Sequence, residues 1–158
     1  MTSPRRHDER RQRSTAARFY AVQALFQMEA AGQSADRVRR EFEEWRIGYE
    51  HDDEVSADAD SALFARILED AVTWQGKVDQ MTDRALVARW PIDRIDPVLR
   101  ALFRAAGAEL VAGKAPPRVI ISEYVGICDA FFPDGRETKF VNAVLDHMAR
   151  EAAPDTFG

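Results

Sequence analysis

The first eighteen residues hold the densest group of side chains able to bind a charged partner. They carry six arginines and two carboxylates, which gives this segment a formal charge of +4. The whole chain of 158 residues has a formal net charge of −5. Guanidinium groups donate paired hydrogen bonds to phosphate oxygens and can stack on bases. This segment therefore predicts binding to structured RNA or DNA, with a solvated terminus as the alternative. We expect residues 1–13 to form a flexible arginine-rich arm in which Arg10, Arg11 and Arg13 act as a group.

Patterns typical of catalytic or metal sites are missing from the sequence. No glycine-rich phosphate loop follows a strand pattern, no nucleophile elbow occurs, and no two histidines share a helical face. Cys128 is the only cysteine, which excludes an internal disulfide, and its apolar neighbours predict that it is buried. The acidic stretch of residues 41–60 lacks the spacing of a calcium loop and predicts a solvated loop. We expect a protein that is not an enzyme and that needs no cofactor and no metal.

The composition and length favour a globular protein over a membrane or secreted one. The chain is 46% hydrophobic and 31% charged, which is typical of a globular domain, and its length suits a single one. No run of apolar residues approaches the about 18 needed to span a membrane. Charged residues also occupy the positions where a signal peptide would be apolar. We expect one folded domain that stays in the cytoplasm, with no membrane segment.

Apolar residues recur at three- and four-residue steps along most of the chain, which predicts amphipathic helices. A first helix is expected to start at a Ser14 or Thr15 cap and to end before Gly32, and Ser34 is placed to cap a second. After the acidic stretch, the spacing predicts either one long helix or two abutting helices around Gly76. We favour one helix, because a single glycine weakens a helix by only about 1 kcal/mol.

Prolines and glycines divide the second half of the chain into further helices. The expected boundaries are a break at Trp90 and Pro91, a cap at Asp96 and Pro97, an end at Gly113, a start at Pro116 and Pro117, and a last helix that frays after Ala152. No convincing strand remains, so the sequence predicts an all-α fold.

Other cationic and aromatic side chains could extend a basic surface beyond the arm. The cationic ones are Arg84, Arg89, Arg94, Arg100, Arg104, Arg136 and Lys139. Phe132 and Phe140 either stack on unpaired bases, which is worth about 1–3 kcal/mol per base, or belong to the core. We expect Phe131 to lie in the core.

Four motifs occur in order along the chain. They are ARFYAVQALF at residues 17–26, RID at 94–96 with LFRA at 102–105, VIISEYV at 119–125, and KFVNAVLD at 139–146. Through these motifs the chain resembles the NusB family of bacterial antitermination factors, from about residue 14 to residue 150.

The resemblance implies a compact helical bundle of two small subdomains, about residues 14–88 and 89–152, within a domain of residues 14–152 and followed by a tail of 153–158. It implies binding to the boxA element of nascent single-stranded RNA together with ribosomal protein NusE. That complex joins RNA polymerase and other Nus factors, and it suppresses termination on ribosomal RNA operons. No catalysis is implied.

The same resemblance implies which residues meet RNA. Arg18 and Gln23 match the family's RNA-facing first helix, and Arg104 matches a basic residue of a later helix. Phe26 stands where many members have tyrosine, and Arg136 stands where others can be acidic. With the arm included, the expected RNA-binding residues are Arg10, Arg11, Arg13, Arg18, Gln23, Arg104, Phe132, Lys139 and Phe140.

Two other interpretations remain open from the sequence. One is an RNA-binding accessory domain like that of ribosomal RNA cytosine methyltransferases, although no catalytic cysteine motif is present. The other is a helical protein-interaction module whose arm is merely solvated. Family members are monomers or homodimers, and a homodimer that buries the arm would be inactive in RNA binding.

Overall fold

A computed structural model of the protein describes residues 4–47, 59–87 and 95–156. The helices within these ranges are α1 (Pro4–Ala31), α2 (Ala35–Trp45), α3 (Ser61–Thr73), α4 (Gln75–Val87), α5 (Pro97–Ala112), α6 (Pro117–Phe131) and α7 (Thr138–Ala152), with a short 3-10 helix at Pro154–Thr156. The same ranges contain no strand, and the all-α prediction is confirmed. The predicted break at Trp90 and Pro91, the cations Arg89 and Arg94, and residues 48–58 of the acidic stretch lie outside the described residues.

Several helix ends follow the capping chemistry of the sequence. The Ser34 side chain accepts a hydrogen bond from the backbone N–H of Arg37 (3.2 Å), and the Asp96 carboxylate accepts one from Val98 (2.8 Å). Gly32 and Gly113 have φ angles of 64° and 67°, in the left-handed region that glycine enters without strain. The predicted ends at these four residues are confirmed.

The start of α1 differs from the prediction. The helix begins at Pro4 and not at Ser14 or Thr15, so residues 4–13, predicted as a flexible arm, form its first turns. Proline suits the first position of a helix, and the arginines and glutamines that follow have favourable helix propensity. Apolar periodicity could not detect these turns because the side chains of residues 6–13 are exposed.

The single helix favoured across Gly76 is wrong, and the alternative of two abutting helices is confirmed, because the chain forms α3 and α4 there. The interruption is at Trp74, whose φ of −105° and ψ of 16° leave the helical region. Its N–H still donates to the Asp70 carbonyl, and its carbonyl accepts from Val78, both at 2.8 Å. The bend lets α3 pack on α1 and α5, while α4 packs on α5 and α7.

Helix α5 is the centre of the bundle. It packs on α1, α3, α4, α6 and α7, and most of its residues are buried. Small side chains allow the close approach: a Cβ added at Gly107 would lie 2.4 Å from Cγ1 of Val78. Helices α3 and α4 both pack on α5, so α5 connects the parts of the bundle on either side of Trp74. Phe131 is half-buried, and its ring stacks on Phe19 with centroids 4.9 Å apart.

Candidate nucleic-acid interface

The exposed first turns of α1 form a groove with the start of α6, which we call the basic groove. Its volume is about 610 Å3. Its lining residues are His7, Arg10, Arg11, Ser14 and Arg18 from α1, and Arg118, Val119, Ser122 and Glu123 from α6. Three of the predicted RNA-binding arginines therefore line one groove, while Arg13 is exposed on the same helix.

The cations on the walls of the basic groove are not neutralised by neighbouring carboxylates. Arg10, Arg11 and Arg118 are exposed, and none of them forms an ion pair with a carboxylate in the part of the chain that the structure describes. An exposed guanidinium without an acidic partner can exchange water for a phosphate oxygen. The groove is thus a concentrated donor surface on a chain whose total charge is negative.

Arg18 lies beneath these cations and has a different environment. Its side chain is 7% exposed and forms a bidentate ion pair with Glu109 of α5. Its Nε donates to Oε2 at 2.8 Å, and its Nη2 donates to Oε1 at 3.0 Å. The hydroxyl of Tyr124, on α6, donates to the same Glu109 Oε2 at 2.6 Å. Arg18, Glu109 and Tyr124 therefore join α1, α5 and α6 at one buried point, which we call the buried clamp.

A second carboxylate completes the contact between α1 and α6. Glu123 Oε1 is 3.6 Å from Nη1 of Arg18, and its Oε2 accepts a hydrogen bond from the Thr15 hydroxyl at 2.9 Å. Glu123 is thus occupied by groups of α1. Its negative charge is partly offset by Arg18.

The electrostatics of the buried clamp favour a charged arginine and a neutral tyrosine. Burial alone lowers the pKa of the Arg18 guanidinium, but the hydrogen bonds and charges of Glu109, Tyr124 and Glu123 outweigh it and raise that pKa. Burial, followed by the charge and hydrogen bond of Glu109, raises the pKa of Tyr124 well above its usual value. Tyr124 therefore remains a proton donor at neutral pH.

A second groove, which we call the aromatic groove, lies further along α1. Its volume is about 400 Å3, and it is lined by Val22, Gln23, Phe26, Gln27, Ala30, Ala31, Arg46, Val98 and Phe131. Gln23 Oε1 accepts a hydrogen bond from Nη1 of Arg46 at 3.3 Å, and the Arg46 guanidinium lies 4.4 Å from the centre of the Phe42 ring. The structure places Gln23 beside an apolar surface and a cation, and Phe26 is 37% exposed there.

Arg104, a predicted RNA-binding residue, is engaged in ion pairs. Its Nε is 3.2 Å from Asp79 of α4, and its Nη1 is 3.2 Å from Glu29 of α1. The neighbouring Arg100 also contacts Glu29, at 3.1 Å. Arg104 lines neither groove and connects α5 to two other helices.

The predicted residues around the start of α7 also lie outside the linings of both grooves. Lys139 is exposed, whereas Phe132 and Phe140 are half-buried against the core. The Phe140 ring meets Phe103 edge to face, with centroids 6.3 Å apart. The structure therefore brings Arg10, Arg11 and Arg18 together in the basic groove. It places Phe132, Lys139 and Phe140 outside both grooves.

Sequence reasoning missed Arg118 and the buried clamp. Arg118 is an isolated arginine after two prolines, and only the parallel course of α1 and α6 brings it opposite Arg11. Glu109 is 91 residues from Arg18, so no local spacing could pair them. The one available signal was a glutamate inside the apolar stripe of α5, since a buried carboxylate requires a partner.

Other kinds of site are not found in the described ranges 4–47, 59–87 and 95–156. Within them, no three His, Cys, Asp or Glu residues are grouped to hold a metal ion. No helix there is both long enough and apolar enough to cross a membrane. Cys128 is buried as predicted, and burial, with the charges of Asp129 and Glu137, raises its thiol pKa to about 11.

Comparison with known proteins points to one family. Residues 15–150 match the model of the NusB family. The chain is 43% identical over 143 residues to the transcription antitermination protein NusB of Maricaulis maris (strain MCS10), covering 90% of this chain and 89% of the relative. It is 47% identical over 134 residues to the protein of the same description from Brucella abortus (strain S19), covering 84% and 78%.

Solved structures give the same assignment. T. maritima NusB has a TM-score of 0.66 and 27% identity, with 99% of each chain covered. A chain from the crystal structure of antitermination factors NusB and NusE in complex with dsRNA has a TM-score of 0.71 and 25% identity, covering 89% of this chain and 98% of that one. With a family match over residues 15–150 and relatives above 40% identity, the chain belongs to the NusB family.

Proposed function

We propose that this protein is a transcription antitermination factor that binds boxA-type single-stranded RNA together with ribosomal protein NusE and supports RNA polymerase on ribosomal RNA operons. The observation that carries the proposal is the basic groove, with its exposed and unpaired arginines, on a NusB-family fold. The similarity of this chain to one from the crystal structure of NusB and NusE in complex with dsRNA supports NusE and RNA as binding partners.

Phosphate contacts supply the affinity in this proposal. Arg10, Arg11 and Arg13 lie on the exposed turns of α1, where a phosphate chain can reach them without opening the bundle. The chain as a whole has a formal net charge of −5, so phosphates are attracted to this end of the molecule and repelled elsewhere. Affinity should fall steeply with salt, because binding releases the counterions of the RNA.

The aromatic groove supplies base contacts. Exposed Phe26 and the apolar wall around Phe131 offer a stacking surface, and Gln23 offers an amide that can read a base edge. Arg46, which shares a hydrogen bond with Gln23, can stack on a base or bind a phosphate. Phe26 has no hydroxyl, so any discrimination here comes from shape, stacking and the Gln23 amide.

Two predicted RNA contacts have a positioning role in this proposal. Arg18 is buried against Glu109, so it holds the basic turns of α1 in place and does not itself reach RNA. Arg104 acts in the same way through Asp79 and Glu29. Phe132, Lys139 and Phe140 remain candidates for contacts with RNA that extends beyond the two grooves, and Lys139 is the most exposed of the three.

NusE is the proposed protein partner, with other Nus factors and RNA polymerase joining the assembly. We also propose that the protein acts in the cytoplasm without catalysing a reaction, as the description of its relatives as antitermination proteins suggests. A homodimer is a further hypothesis. An apolar groove of about 590 Å3 along α1 and α6, which includes Phe19, Tyr20, Gly126, Ile127 and Ala130, is a surface that a second copy could cover.

Fluorescence anisotropy of a labelled boxA RNA tests the proposed function. The protein is titrated with and without NusE, across a salt series, beside a scrambled RNA of equal length. We expect weak binding by the protein alone and tighter, boxA-selective binding with NusE. Equal affinity for both RNAs in the presence of NusE would contradict the proposal and favour a protein-interaction module.

A further inference from the structure

We propose that Arg118 is an RNA-binding residue and that α1 and α6 form a single RNA track, with Arg118 on the wall opposite Arg10 and Arg11. The inference rests on the proposed function and extends it. It assigns the start of α6 as a second phosphate-binding element, separate in sequence from the arginine-rich turns of α1.

The first argument is the composition of the basic groove. His7, Arg10 and Arg11 come from one wall, and Arg118 comes from the other. Ser14 and Ser122 also line the groove, one from each helix, and a serine hydroxyl can donate a further hydrogen bond. Cations and hydroxyls on both sides of a groove suit a phosphate chain, whose oxygens accept hydrogen bonds from several directions.

The second argument is the state of Glu123, the one acid among the described residues that line this groove. Glu123 would repel phosphate if its charge were free, but it accepts from Thr15 at 2.9 Å and lies 3.6 Å from Arg18. Arg118, in contrast, has no carboxylate partner among the described residues and is exposed. No ion pair therefore holds the Arg118 guanidinium away from a phosphate.

The third argument is the continuity of the surface. Helix α6 runs in the same direction as α1, so Arg118 faces the basic turns while Phe131, at the other end of α6, stacks on Phe19. The stripe Arg11, Thr15, Phe19, Gln23 and Phe26 follows one face of α1 from the basic groove to the aromatic groove. Phosphates at the Arg118 end and bases at the Phe131 end would lie on one path.

An acidic protein segment is the competing occupant of such a groove. RNA is favoured because the cationic end is continuous with an exposed aromatic surface that includes Phe26, and base stacking requires such a surface. An acidic segment needs the cations alone. The two occupants predict different effects of a change at Arg118.

The test compares Arg118→Ala with Arg37→Ala, which removes an exposed arginine near the start of α2, outside both grooves. With NusE present, we expect Arg118→Ala to weaken boxA RNA binding about fivefold to tenfold and to reduce the salt slope by about 0.7, because one phosphate contact is lost. The ratio of boxA to scrambled affinity should not change, since phosphate contacts carry no sequence information. Arg118→Lys should recover most of the affinity, and Arg37→Ala should match the wild type.

The outcomes separate the inference from the proposed function. If the wild type binds boxA RNA selectively and Arg118→Ala binds as tightly as Arg37→Ala, the inference is overturned and the proposed function stands. If Arg118→Ala weakens NusE binding in the absence of RNA and leaves RNA affinity unchanged, the groove binds protein and the inference is also overturned. If the wild type binds neither RNA, with or without NusE, both proposals fail.

Discussion

Two groups of arginines on α1, α5 and α6 have opposite environments. Arg18 and Arg104 are held by carboxylates of other helices, whereas Arg10, Arg11 and Arg118 are exposed and unpaired among the described residues. Arg11 and Arg18 are two turns apart on α1. The comparison shows that burial and an acidic partner, and not residue type or chain position, separate arginines that hold the bundle from arginines available to a ligand.

The two groups should therefore respond differently to substitution. A buried guanidinium has lost its water and depends on its partner, so removing either member leaves an uncompensated charge. An exposed guanidinium is solvated, so its removal changes binding and leaves folding nearly unaffected.

The largest effect is expected where the buried clamp is broken. Glu109→Ala leaves Arg18 buried without its carboxylate and Tyr124 without its acceptor, so the free energy of unfolding should fall by about 3–5 kcal/mol. Urea denaturation followed by circular dichroism measures this. Glu29→Ala, which removes a part-exposed partner of Arg100 and Arg104, is the matched control and should cost about 1 kcal/mol or less. Equal losses would remove the distinction between the buried ion pair of Arg18 and the part-exposed ion pairs of Arg100 and Arg104.

The unpaired group is tested by changing Arg10 and Arg11 together. The double alanine variant should weaken boxA RNA binding in the presence of NusE by about 30-fold and reduce the salt slope by about 1.4. Its free energy of unfolding should stay within about 0.5 kcal/mol of the wild type. A double alanine variant at Arg37 and Arg66, both exposed and outside the two grooves, should keep wild-type affinity. A loss of stability without a loss of affinity would reverse the assignment.

Alkaline pH provides a smaller and graded test of the buried clamp. Folding raises the pKa of Tyr124 above its unfolded value near 10, so the folded state binds more protons above that pH. The stabilisation is complete below about pH 10 and is lost as pH rises toward the folded pKa, at up to about 1.4 kcal/mol per pH unit. Tyr124→Phe should flatten this dependence. If the free energy of unfolding changed with pH in the same way for both proteins from about pH 9 to 11, the assigned role of Tyr124 would be contradicted.

The smallest expected effect concerns Arg104. Because its ion pairs with Asp79 and Glu29 are partly exposed, Arg104→Ala should lower the free energy of unfolding by about 0.5–1 kcal/mol. RNA affinity should change by less than about twofold. A tenfold loss of RNA affinity at unchanged stability would instead show that Arg104 leaves its partners to bind RNA.

Local chemistry allowed much of the fold to be predicted from the sequence. Ser34, Asp96 and Gly113 end or begin helices through their own side chains or φ angles, so their effect needs no tertiary information. The start of α1 was missed because a helix with exposed arginines has no apolar period. The choice of one helix over two abutting helices around Gly76 was wrong because the break at Trp74 serves the packing of α4 against α5 and α7, which lie later in the chain.

The candidate site was less predictable for the same reason. The group of arginines in the first eighteen residues can be recognised from the sequence alone. The difference in burial and pairing between Arg11 and Arg18 depends on Glu109, which is 91 residues from Arg18. Arg118 is a single residue whose neighbours in sequence say nothing of its neighbours in space. Long-range pairing of this kind requires the structure.

The order of the helices has a consequence for the timing of synthesis. Helix α1 packs on α5 and α6, which span residues 97–131, so its partners leave the ribosome about 5–20 s after α1 at typical elongation rates. A nascent chain shorter than about 131 residues has the arginines of α1 but lacks Glu109 or the α6 wall. Competence for RNA binding therefore arises only when translation is nearly complete, and truncated chains would not compete with finished molecules for the same transcripts.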